Sequence, residues 1–292
     1  AQVKANADTL NDKTHNIKYY SVNDTLLPKI QGKSNEDNKG AQGMGSMAAG
    51  FNTYTDGIIS TVSGAYSQII NEGNVKYMGM YDIRGTAAAS YGAANVNKNT
   101  AQSGEFSGVA NSTIGQVNDV TDSNAAITIG AGNTISNSYR DVNIDLGDVY
   151  LNRHNPEALR QLMKDAVKES GGQVLVMGGG NEVDSAYMSQ VVGVGNTVKG
   201  NQVKVKNEKT GEMEWGTDTN KETAIKDYNA EKSSQLNYVN GFYNTVINGK
   251  SDYVIGAQNT VEGNNVAENQ SNIIFGDNHK LTNQKNNVII GS

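Results

Sequence analysis

The chain has 292 residues, of which 36% are hydrophobic with only four Phe and one Trp, and it carries a net charge of −6. That is a thin supply for a globular core of this length, whereas 33 Gly, 39 Asn and two Pro suit many tight, solvated turns. Acidic charge with scattered Lys and Arg argues against nucleic acid as a partner, the lack of cysteine excludes a disulfide framework, and no run approaches the ~18 apolar residues of a membrane span.

In chain order, residues 1–32 form a lead-in segment without repeats, with an edge strand expected at Tyr19-Tyr20-Ser21-Val22. The start, Ala1-Gln2-Val3, has no basic, apolar leader, so any signal peptide is expected to have been removed or never included. From 33 to 147 a phrase recurs: two aliphatic residues, Gly, any two residues, Asn, any one, then an aliphatic. It reads Ile129-Gly130…Asn133…Ile135 here, Val192-Gly193…Asn196…Val198 in 173–200 and Ile255-Gly256…Asn259…Val261 in 241–292. Looser copies are Gly64…Ser67…Ile69, Gly108…Asn111…Ile114, Met177-Gly178…Asn181…Val183, Gly241…Asn244…Val246 and Phe275-Gly276…His279…Leu281. Taking glycines 50, 64, 79, 92, 108, 130 and 147 as anchors gives a base period of 14–15 residues with insertions at one turn. Fixed-phase recurrence marks a solenoid. Two strands of about five residues and two short turns use one period, so each period is read as one flattened coil.

Alternation within each strand sends Ile127 and Ile129 to one face and Thr128 to the other. Gly after the second aliphatic supplies positive φ or close approach, and Asn three residues on tolerates a left-handed corner. The structural repeat residues are thus Gly130, Asn133, Gly193, Asn196, Gly256, Asn259, Gly276 and Gly291, and stacked Asn from successive coils form a ladder. Two segments break the pattern. In 148–172, Asn155 caps and Pro156 opens a helix whose stripe is Ala158, Leu159, Leu162, Met163, Ala166 and Val167, stopped by Gly171-Gly172. In 201–240, Gln202–Lys206 and Glu212–Trp215 flank a turn and read as a β-hairpin, followed by a polar connector containing Tyr228.

Signs of chemistry are weak. Asp141-Val142-Asn143-Ile144-Asp145-Leu146-Gly147 has its glycine one residue late for a calcium loop, and Asn152 stands where the bidentate Glu belongs. Its Val142, Ile144 and Leu146 alternate as a strand face. Gly195–Gly200 has phosphate-loop spacing, but Asn201 follows where Lys is required. His15, His154 and His279 have no second ligand at metal spacing; in an assembly, copies of His154 or His279 could meet as a ring. No catalytic phrase stands out, so we expect no enzyme, no cofactor and no metal. Ligand contact is expected at the hairpin insertion, through Lys204, Lys206, Trp215 and Tyr228, because exposed aromatics on a rigid scaffold are favoured contact residues. Trp215 pinning the hairpin to the stack is the alternative.

Ser46-Met47-Ala48-Ala49-Gly50, Asn124–Gly130 and Asn286-Asn287-Val288-Ile289-Ile290-Gly291 resemble the repeat phrase of YadA-like trimeric autotransporter adhesin heads. Tyr19–Asn23 followed by Asn35…Gly40-Ala41-Gln42-Gly43 is similar to the lead-in of that family. The resemblance covers roughly 19–147, 173–200 and 241–292; Asn stands where the family often has Ser or Ala, and both insertions lie outside its simple pattern. It implies a left-handed parallel β-roll, a parallel homotrimer, an outer-surface location and adhesion to host cells, extracellular matrix or other bacteria, with a coiled-coil stalk and membrane barrel downstream. Collagen is one ligand class of such heads, though Ser271–Gly276 and Asn286–Gly291 are bulkier than their binding repeats. The rival readings are a phage fibre or structural spacer and, from another class, a left-handed β-helix acyltransferase, which needs 18-residue coils and a histidine base.

Overall fold

The computed structural model describes residues 35, 39–138, 148, 151–152, 154–170, 174–218 and 232–291. Tyr19–Val22, Asp141–Gly147, His15 and Tyr228 lie outside them. The described chain is all-β with one long helix. Strands alternate between two parallel sheets, one of eleven strands from Met47–Phe51 to Val288–Ile290 and one of ten from Tyr54–Thr55 to Lys280–Thr282. Each strand pairs with its counterparts in the neighbouring passes of the chain, an arrangement compatible with a parallel β-roll. A third, shorter line joins Ala186–Tyr187 to Ser234–Gln235 and runs on through single bridges at Lys250, Gln270 and Lys285.

Register shows what fixes the stack. Eleven glycines stand in one file: Gly50, Gly64, Gly92, Gly115, Gly130, Gly178, Gly193, Gly241 and Gly256 as successive Cα partners, continued by Gly276 and Gly291 through the same close approach of backbones. Gly193 has φ of +123°, and a Cβ there would lie 1.9 Å from the carbonyl oxygen of Gly241. Conformation and space both demand glycine. Successive partners among Gly115/Gly130, Gly178/Gly193 and Gly241/Gly256 are 15 residues apart. The expected anchors Gly79 and Gly108 are not in the file: Gly64 pairs with Gly92, and Gly92 with Gly115. Both displaced glycines sit in turns with φ of +71° and +75°, so they serve longer excursions of the chain at 72–88 and 100–111.

Three residues after seven of the file glycines, those from Gly92 to Gly256, an asparagine is fully buried. Asn95, Asn118, Asn133, Asn181, Asn196, Asn244 and Asn259 form the expected ladder. Asn196 is typical: its Nδ2 donates to Asn181 Oδ1 at 3.1 Å and to the Gly241 carbonyl at 2.9 Å, while its Oδ1 accepts from the backbone N–H and Nδ2 of Asn244, both at 3.0 Å. Thr53 and Ser67 precede these asparagines in the column and His279 follows them, with the His279 ring nitrogen 2.6 Å from the Gly291 carbonyl. A primary amide suits this position because it donates and accepts at once, satisfying backbone groups that the corner turns away from the sheets.

The interior is a thin double file of small side chains. Val176, Val191, Val239, Val254 and Ile274 from the longer sheet meet Val183, Val198, Val246, Val261 and Leu281 from the other. Thr128 shares the inner column and is fully buried, whereas Ile127 is 43% exposed, so the polar residue faces inward and the isoleucine outward. Alternation defines two faces; it does not say which one the second sheet covers.

Both predicted insertions are present. The helix runs Pro156–Ser170, and Asn155 Oδ1 accepts from the Ala158 N–H at 3.2 Å as a cap. Its Ala158, Leu159, Leu162, Met163 and Val167 are half-buried, while Arg160, Lys164, Asp165 and Lys168 are exposed. The hairpin pairs Gln202–Lys206 with Met213–Thr217, Lys204 opposite Trp215. The chain rejoins the stack at Ser234–Gln235 and Tyr238–Phe242, so the second excursion closes earlier than residue 240.

Candidate interaction surfaces

The two sheets present different outer faces. On the longer sheet one row reads Tyr91, Ile114, Ile129, Met177, Val192, Asn240, Ile255, Phe275 and Ile290, all in register. Tyr91, Ile114 and Phe275 are each 44–46% exposed. The adjacent row contains Ile127, Leu175, Tyr238, Tyr253, Ile273 and Val288, and the Tyr238 and Tyr253 rings lie 6.2 Å apart. Among the described residues the helix meets this face where Val167 borders a cleft with Ile127, Leu175 and Gln190. Parallel sheets ordinarily have both faces covered, and an apolar band of this length marks a contact surface.

The outer face of the shorter sheet is polar. Asp119, Thr134, Glu182, Thr197, Thr245, Thr260 and Lys280 stand in one row, and Lys199 Nζ reaches Glu182 Oε1 at 2.7 Å. The hairpin is moored on this side. At its root Asn248 Oδ1 accepts from the Gln202 N–H at 3.0 Å and Asn248 Nδ2 donates to the Gln202 carbonyl at 2.9 Å. Further out, Trp215 Nε1 donates to Glu262 Oε2 at 3.0 Å, and Lys204 Nζ lies 3.7 Å above the indole ring. Burial alone would raise the Glu262 carboxyl. The Trp215 hydrogen bond, the Lys204 and Lys280 charges and the Thr282 hydroxyl outweigh it and hold the group below its ordinary value.

The structure therefore separates the candidate contact residues. Lys204 and Trp215 come together with Glu262, forming the clasp that fastens the hairpin, so Trp215 is spent on an internal contact. Lys206 remains exposed beside Met213, which is 59% exposed, and Val205, which is 38% exposed. These two apolar residues were missed; the alternation of Val205 with Lys204 and Lys206 was the available signal for the first, whereas Met213 stands out only through its pairing with Lys206. Gly130, Gly193, Gly256, Gly276 and Gly291 stand in the glycine file and Asn133, Asn196 and Asn259 in the ladder, so they build the scaffold. Among the described residues, no group of three or more His, Cys, Asp or Glu is placed to hold a metal ion, and no helix is long and apolar enough to cross a membrane.

Asp252 is a fully buried acid inside the stack. It occupies a second ladder, at the step before the strands of the longer sheet, whose other members include Asn237, Asn272 and Asn287. Its Oδ1 accepts from the Asn272 N–H and Nδ2 at 2.9 and 3.0 Å, whereas Oδ2 has no protein partner. Burial pushes its carboxyl up to about 6 against the two hydrogen bonds from Asn272. No family model, curated protein or solved structure matches this chain.

Proposed function

We propose that this chain is the adhesive head of a cell-surface protein, a left-handed β-roll of 14–15-residue coils assembled as three parallel copies through the apolar outer face of the longer sheet. The observation that carries the reading is the asymmetry of the two outer faces. A parallel sheet with an aliphatic and aromatic exterior is stabilised when a second copy covers it, and the polar sheet with its moored hairpin is then left outward. Association multiplies each weak contact, converting modest single-site affinity into avidity. The exposed outer edge of the hairpin, with Lys206, Val205 and Met213, is the favoured site for a receptor or matrix protein, because it projects from a scaffold that holds it at its root and at Trp215. The resemblance to YadA-like heads supports the same reading and supplies its outer-surface location.

The test is adhesion of the purified chain to immobilised cells and matrix proteins, with residues 203–232 intact or replaced by a short Gly-Ser turn. This excision spares Gln202, which is bonded to Asn248, and the strand at Tyr238–Phe242. The expected result is binding by the intact chain and its loss on excision. Unchanged adhesion removes the hairpin as the contact site; no adhesion by either form removes the adhesive reading.

A further inference from the structure

The excursion at 72–88 ends in a feature that folding does not require. Tyr77 and Tyr81 form an antiparallel bridge, closing a three-residue tip of Met78, Gly79 and Met80. Met78 and Met80 are 71% and 60% exposed, and Tyr81 is 60% exposed. Met78 has φ of +48°, a left-handed conformation that Asn or Gly adopts more readily. The side chain at the extreme of the loop is thus both apolar and conformationally unfavourable, and at 71% exposure it packs little against the described residues.

The base, by contrast, is rigidly held. Arg84 is fully buried, bonded through Nε and Nη2 to the Asp82 carboxylate at 2.9 and 2.7 Å, and its Nη1 donates to the Thr100 carbonyl and Ser103 Oγ. Tyr77 packs edge-on against Phe106, ring centroids 5.5 Å apart. Read outward from the base, both arms of the loop run in the same order: a charged residue (Lys76, Asp82), a tyrosine (Tyr77, Tyr81), then a methionine, with Gly79 between the two methionines. That order follows the polarity gradient at the surface of a bilayer, with flexible apolar groups deepest, amphipathic aromatic rings at the headgroup level and charges in water.

We propose that the tip Tyr77–Tyr81 inserts into the interfacial layer of a lipid bilayer. Charge favours a neutral surface, since Asp82 is neutralised by Arg84 and Glu72, at the root of the loop, lies 3.5 Å from Lys98, leaving Lys76 as the charge nearest the tip, while the whole chain carries −6. A convex tip of two flexible methionines suits a deformable hydrocarbon boundary. The inference does not rest on the adhesive reading: the tip can fail to insert while the head still adheres through its hairpin, and the reverse.

The chain has no cysteine, so a single Met78→Cys substitution allows one polarity-sensitive fluorophore to be placed at the tip, with Thr210→Cys at the exposed hairpin turn as control. Addition of phosphatidylcholine vesicles is expected to blue-shift and brighten the probe at 78 and leave the probe at 210 unchanged. In unlabelled protein, Met80→Ser with Tyr81→Ser is expected to weaken vesicle co-flotation by roughly a hundredfold, from the apolar area withdrawn. Thermal unfolding should be unaltered, because both side chains are exposed. No response at 78 at millimolar lipid, or co-flotation unaffected by the double substitution, overturns the proposal. A shift at 78 that follows protein concentration without lipid also overturns it and makes the tip a contact between copies.

Discussion

The inner column of the longer sheet is filled differently in its two halves. From Val62 through Ser90 and Thr113 to Thr128 it is mostly hydroxyl-bearing; from Val176 through Val191, Val239 and Val254 to Ile274 it is wholly aliphatic. The first stretch of the stack also buries three polar atoms without protein partners, Ser90 Oγ and Thr128 Oγ1 in the column and Asn97 Nδ2 on the shorter sheet. Yet the glycine file and the asparagine ladder run through both halves with the same geometry. The architecture is therefore specified by turn chemistry and buried amides, and the core filling sets how stable each stretch is. Buried hydroxyls are tolerated where the frame around them is complete.

Four substitutions can break or sharpen that contrast. The largest effect is expected at the frame: Gly193→Ala puts a methyl against the Gly241 carbonyl at a φ that disfavours side chains, and should cost more than about 4 kcal/mol. Urea unfolding would register it, and a loss of under about 1 kcal/mol would show that the file is not required. Next is Asn196→Ala, which strands the Asn244 N–H and the Gly241 carbonyl and should cost about 3 kcal/mol by the same measurement.

Asp252→Asn should go the other way. Below pH ~4 the acid is protonated whether folded or unfolded, so it makes no difference. As pH rises from ~4 to about 6 the unfolded chain releases the proton and the folded chain keeps it, so stability falls; above about 6 the deficit is constant. The substitution, matching Asn237 and Asn272 in the same column, should raise stability by up to about 3 kcal/mol at pH 7 and by little at pH 4. A pH-independent gain would assign the effect to something other than ionisation. The smallest change is Thr128→Val, expected to gain about 1–2 kcal/mol by removing a buried hydroxyl that has no protein partner. A loss there would mean that the hydroxyl is satisfied in solution.

The frame was legible in the sequence because its constraints are local. Ile114-Gly115…Asn118…Val120 carries the phrase from the aliphatic beside the glycine onward, whereas Gly108 follows Ser107 and its Asn111 belongs to the other ladder, where Asn111 Oδ1 accepts from the Ala126 N–H. Matching the entire phrase separates the two; counting glycines does not. Helix and hairpin were legible for the same local reason, through Asn155-Pro156 and the alternation at 202–206. Sequence could not assign Thr128 to the interior, because in a sheet apolar on both faces a period of two leaves inside and outside unlabelled. Nor could it show the Trp215–Glu262 clasp, whose partners are 47 residues apart and meet only once the hairpin folds back onto the polar sheet.

The same asymmetry makes the longer sheet's exterior the place to test the assembly. Sedimentation equilibrium at micromolar concentration, on the wild-type chain and on Ile114→Glu with Phe275→Glu, addresses it most directly, since both residues point outward and neither belongs to the frame. The expected result is a wild-type mass three times that of the 31.1 kDa chain and a folded, monomeric double variant. A wild-type monomer, or a double variant that still assembles, would contradict it.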